Sequence, residues 1–129
     1  MKDEIHKWII KAENDLKTAK GEFSTKNPVT DTICFHCQQC VEKNLKAYLI
    51  SRNKEFRKTH NIAELLELCI EFDIDFNILK ESKIHKLTVY ATELRYPEFF
   101  YIPSYEEAKE AIEIAERVKS FIIEKMGDD

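Results

Sequence analysis

His36, Gln39, Lys43 and Lys46 recur at intervals of three and four residues within an apolar pattern of helical period. Side chains at that spacing meet on one face of a helix. The row places an imidazole, an amide and two ammonium groups beside Phe35, where an ordinary solvated face would carry interchangeable Glu and Lys. Lysine neutralises phosphate as a point charge. Imidazole donates, accepts or transfers a proton near neutral pH. An amide reads a base edge or fixes a neighbouring side chain. Together they suit an anionic or nucleotide-like ligand. The same residues also read as interfacial polar groups with solvated lysines.

Further candidates lie elsewhere in the chain. Arg95 stands before Tyr96-Pro97 at a helix end and suits bidentate recognition of phosphate or carboxylate. It either clamps a ligand or pairs with Asp15, which interrupts the apolar stripe of the first helix, and so orders the loop that follows. His60 comes after Arg57-Lys58-Thr59. The basic run Arg52, Lys54, Arg57 and Lys58 either binds phosphate or is a solvated loop, and Thr59-His60-Asn61 also reads as a helix cap. Phe99, Phe100 and Tyr101 are consecutive aromatics, hard to bury from one loop, which favours a partner surface or a stacking platform over a plug in the bundle end. Cys34, Cys37 and Cys40 fall on successive turns of one helix without the Gly-bearing knuckle of a zinc ribbon. They read, with Cys69, as small core residues holding no metal.

The elements that must position these groups are helices. Ile5, Trp8, Ile9, Ala12, Leu16, Ala19 and Phe23 form one stripe over residues 3–24, stopped by Pro28. A second helix starts at Thr30 or Asp31 as N-cap and runs to about Arg52. A third covers 61–72, with Ile62, Leu65, Leu66, Cys69 and Ile70 inward. A fourth covers 79–95, using Ile84, Leu87, Ala91 and Leu94. Ser104 and Glu107 have capping-box spacing for a last helix, whose stripe is Tyr105, Ala108, Ala111, Ile112, Ala115, Val118 and Ile122. The expected architecture is all-α, an up-and-down bundle of four long helices plus a shorter one, in a single domain over 1–129.

Composition agrees. With two Gly and three Pro in 129 residues, turn chemistry is too scarce for a many-stranded sheet. A net charge of −4 gives no general attraction to nucleic acid, so any such contact needs a local basic patch. The N-terminus leads straight into an amphipathic helix, without a signal peptide or membrane span. A cytoplasmic protein with reduced thiols is expected.

The chain resembles a HEPN domain, the nucleotide-binding helical domain of higher eukaryotes and prokaryotes. The resemblance covers nearly all of it. Its carriers are Trp8, Ala12, Asp15, Leu16 and Ala19, then Phe35-His36-Cys37-Gln38-Gln39-Cys40-Val41-Glu42-Lys43-Asn44-Leu45-Lys46-Ala47, which matches an FHxQQAxEKxLKA-like helix. Lys58-Thr59-His60 with Leu65-Leu66, Tyr90, Arg95-Tyr96-Pro97 and Tyr105-Glu106-Glu107-Ala108 follow. The departures are Cys37 and Cys40, where small residues such as Ala are usual.

The resemblance implies a helical bundle that dimerises. It also implies partnership with a minimal nucleotidyltransferase in a toxin–antitoxin-like module. Many HEPN proteins are metal-independent ribonucleases, marked by an Arg and a His with four to six residues between them. Here the arginines are Arg52, Arg57, Arg95 and Arg117, and no His falls in the corresponding window after any of them. After Arg95 those places hold Phe100, Tyr101 and Ile102. The leading expectation is therefore a non-catalytic, nucleotide-binding homodimer without cofactor or metal. His36, Gln39, Lys43, Lys46, Arg95, Asp15 and His60 are its ligand or partner candidates, and Phe99, Phe100 and Tyr101 its partner surface. RNA is a secondary candidate ligand. The alternatives are a divergent endoribonuclease, in which His36 or His60 converges with Arg95, and a purely structural interaction module.

Overall fold

The computed structural model describes residues 2–127, and its regular elements are all helical. Helices α1 (Lys2–Phe23), α2 (Thr30–Ser51) and α5 (Tyr105–Met126) are 22 residues each, so each is about 33 Å long. Helix α3 (Ile62–Phe72) has 11 residues.

The short connection 24–29 cannot span a helix of that length, so α1 and α2 pack antiparallel. Thr30 Oγ1 donates to the Pro103 carbonyl at 2.7 Å, pinning the start of α2 beside the start of α5. Lys20–Glu116 and Lys119–Glu13 ion pairs run α5 antiparallel to α1. The chain thus alternates up and down, and residues 52–104 make the third, returning leg.

That leg is not the continuous helix expected over 79–95. Helix α4 (Ile78–Glu81) ends where Lys83 takes a left-handed conformation, φ 59°. A tighter 3₁₀ segment, Ile84–Tyr90, follows, and then short turns at Glu93–Arg95 and Pro97–Phe99. The physical reason lies in the spacing. Ile84, Leu87 and Tyr90 are the buried residues of the 3₁₀ segment, at intervals of three, which matches three residues per turn.

The caps follow local chemistry. Asn61 accepts from the Glu64 amide at the start of α3, and Ser104 and Glu107 form a full capping box at the start of α5. Neither Thr30 nor Asp31 caps α2. The N-cap is Val29, whose own amide is held by Glu22 Oε2 at 2.9 Å. Tyr105 also departs from its expected inward place: it is exposed and stacks on Phe23.

Helix α2 is the centre of the molecule, packed by α1, α3, α5 and the 3₁₀ segment. Its apolar residues from Ile33 to Leu49 are buried except Phe35, which is half-buried, and Cys34, Cys37 and Cys40 are buried with them. A helix enclosed on most sides must also bury polar residues. Gln38, Glu42, Asn44 and Lys46 are all buried on α2. No helix among the described residues is long and apolar enough to cross a membrane.

Candidate functional site

Asp15 sits between Ala12 and Leu16 on the inner side of α1 and is 9% exposed. Its carboxylate reaches two residues of α2. Oδ1 lies 2.8 Å from His36 Nδ1, and Oδ2 accepts from Lys43 Nζ at 2.6 Å. A carboxylate only accepts, so Nδ1 carries the proton and Nε2 is the ring's uncommitted atom.

Glu42, which directly precedes Lys43 on α2, collects three donors. Oε1 takes Gln38 Nε2 and His60 Nδ1, each at 2.8 Å, and Oε2 takes Lys46 Nζ at 2.8 Å. Gln39 joins this network by donating to Gln38 Oε1 at 2.7 Å. Burial pushes the Glu42 carboxyl up, but the bonds from Lys46, His60 and Gln38 outweigh it and hold the group below its ordinary range. The row His36, Gln39, Lys43 and Lys46 is thus divided between two acids. Asp15 holds His36 and Lys43, while Glu42 holds Lys46 directly and Gln39 through Gln38.

Arg95 comes from the returning leg. It does not pair with Asp15, whose oxygens are occupied by His36 and Lys43. Its guanidinium lies over the Phe35 ring, 4.8 Å from the centroid, and among the described residues it makes no ion pair. Arg95 and His36 line one cleft of about 250 Å³, with Phe35, Thr32 and Tyr90 among its walls. Tyr90 donates its hydroxyl to Glu107, and burial together with that bond raises the phenol well above its usual range, so it stays protonated. The cleft therefore offers an unpaired guanidinium, an oriented imidazole and aromatic walls, with the Asp31 carboxylate also in its lining.

Residues 5–126 match the HEPN domain. The chain belongs to the HEPN domain family. A Methanocaldococcus jannaschii relative named "Putative toxin MJ1304" is 33% identical, over 93% of this chain and 89% of the relative. The crystal structure of ST0689, an archaeal HEPN homologue, superposes with a TM-score of 0.68 and 26% identity, over 95% of this chain and 98% of that one.

Within this HEPN domain the candidates fall into three places. His36 and Arg95 share the cleft, with Lys43 and Asp15 behind His36. Lys46 and His60 belong to the Glu42 network. Phe99, Phe100 and Tyr101 are 51%, 81% and 44% exposed, a solvent-facing aromatic loop outside the cleft lining. The sequence reading missed Gln38, Glu42, Tyr90 and Glu107 as organisers. The signal for two of them was present: Gln38, Glu42 and Lys46 stand four residues apart, the spacing of helical hydrogen-bond and ion pairs. Nothing in the sequence spacing joins Tyr90 to Glu107. The thiols are structural, since burial raises Cys34 and Cys40 to about 12 and Cys37 and Cys69 still further.

Proposed function

We propose that this HEPN protein is a toxin-like, nucleotide-binding module that acts as a homodimer with a minimal nucleotidyltransferase and performs no bond-breaking step of its own. The observation that carries the ligand reading is the His36–Arg95 cleft. A phosphate there would accept from the guanidinium and from His36 Nε2, both charge-assisted when the imidazole is protonated. Lys43 adds positive potential behind the ring, moderated by Asp15. The resemblance to the M. jannaschii relative supports the toxin-like part. The absent Arg–His spacing supports the non-catalytic part. The exposed Phe99, Phe100 and Tyr101 supply the surface for the partner protein or the second subunit.

Calorimetric titration with AMP and ATP tests the ligand, and co-purification with a nucleotidyltransferase encoded by an adjacent gene tests the partner. Absence of both interactions would end this reading.

One observation favours a second reading, that of a divergent ribonuclease: His36, held from behind by Asp15, lines the same cleft as Arg95. In that reaction His36 Nε2 takes the proton of a ribose 2′-hydroxyl, whose oxygen attacks the adjacent phosphorus. The bond to the 5′-oxygen breaks, leaving a 2′,3′-cyclic phosphate; the leaving oxygen takes a proton from water, and the hydroxide so formed is neutralised by the proton held on His36 Nε2. Arg95 stabilises the charge on the phosphoryl oxygens. Metal-free RNA cleavage lost in both His36→Ala and Arg95→Ala would select this reading over the first.

A further inference from the structure

A second cavity, of about 390 Å³, is lined by Trp8, Lys46, Phe56, Lys58, Thr59 and His60. It shares no lining residue with the His36–Arg95 cleft. Its size falls in the range of about 300–1,000 Å³ typical of small-molecule sites.

Lys46 is 7% exposed, and its ammonium stands 5.6 Å from the Trp8 ring centre and 5.7 Å from that of Phe56. An ammonium has three N–H donors. Among the described residues only Glu42 Oε2 accepts from Lys46. Its remaining donor capacity has the two aromatic faces and the cavity. Burying a lysine is costly, and its pairing with Glu42 is weak evidence of a gain in stability.

The charge balance at the rim points the same way. Glu42 is engaged by Lys46, His60 and Gln38, so it is not available to a further cation. Arg57, next in sequence, is held by two bonds to one oxygen of Glu64 and one to the other. Lys58 makes no ion pair among the described residues. With Lys46 offset by Glu42, Lys58 is the surplus cation of the cavity, matching one negative charge on a ligand.

We propose that this cavity binds a small aromatic carboxylate, its ring against Trp8 and Phe56 and its carboxylate on Lys46 and Lys58. A single carboxylate charge matches the single surplus cation, and the aromatic walls favour a flat body over an aliphatic one. The site stands apart from the nucleotide cleft.

Trp8 is the only tryptophan in the chain, so its emission reports this cavity. Phenylacetate, phenylacetamide and acetate are titrated in turn into the full-length protein. Phenylacetate is expected to give a saturable change, with the neutral amide and the ring-less acid at least about tenfold weaker. Lys58→Ala should weaken phenylacetate about fivefold, the value of one partly exposed charge contact. Arg95→Ala should leave the phenylacetate titration unchanged. The proposal is overturned by no saturable response up to about 10 mM phenylacetate. It is equally overturned by an equal response to phenylacetamide, by wild-type affinity in Lys58→Ala, or by loss of the response in Arg95→Ala. Failure here with AMP binding intact removes this cavity alone. Loss of AMP binding with phenylacetate binding intact removes the cleft reading alone.

Discussion

The Asp15 carboxylate on α1 holds the His36 imidazole on α2 through Nδ1 at 2.8 Å, leaving Nε2 uncommitted beside the Arg95 cleft. The same carboxylate holds Lys43. One buried acid thus sets the tautomer of the histidine and fixes the position of the lysine.

Removing that acid should loosen the site and the α1–α2 contact together. Asp15→Ala is expected to cost about 1–3 kcal/mol, because His36 and Lys43 are partly exposed and can regain water. Urea denaturation measures the loss, and AMP affinity should fall in the same variant. Unchanged stability would show that the two contacts contribute nothing.

Glu42 is the more expensive residue to change. Glu42→Gln leaves the buried Lys46 without its counter-charge, and a loss of about 3–5 kcal/mol is expected. Replacing both Glu42 and Lys46 with Met should recover only part of it, because the buried Gln38 amide then loses its acceptor. The pH dependence has a definite sign. Glu42 has a lower pKa folded than unfolded, so its stabilisation is present above the ordinary carboxylate value of about 4. It is lost as pH falls through that value toward the lower folded one. Acid titration of Glu42→Gln should show a shallower loss than wild type; identical acid curves would contradict the assignment.

The cysteines should be chemically silent in the folded protein. Cys34, Cys37, Cys40 and Cys69 are all buried, and burial raises their thiols far from the thiolate form at neutral pH. Iodoacetamide followed by mass spectrometry is expected to show alkylation only in denaturant. Rapid labelling of any of them under native conditions would place that thiol outside the core.

These expectations rest on different amounts of sequence information. The long helices were legible because Ala12, Leu16 and Ala19, or Ala108, Ala111 and Ala115, keep the period of an α-helix over many turns. The break after α4 was not, because Ile84, Leu87, Ala91 and Leu94 fit an α-helix nearly as well as Ile84, Leu87 and Tyr90 fit a 3₁₀ segment. Lys83 hides the break, since a left-handed residue is most readily recognised when it is Gly. In the site, the polar row on α2 was visible as spacing, but its division between Asp15 and Glu42 depends on which helix packs where. Arg95 was visible as a cation at a helix end. Its seat on Phe35 depends on the course of the returning leg, which no local pattern encodes.

Phosphate recognition by Arg95 and His36 together is best tested by calorimetric titration of AMP into the wild type, Arg95→Ala and His36→Ala. Saturable binding to the wild type, weakened at least about tenfold in each variant without loss of fold, is the expected result. Wild-type affinity in both variants, or no AMP binding by the wild type, would contradict it.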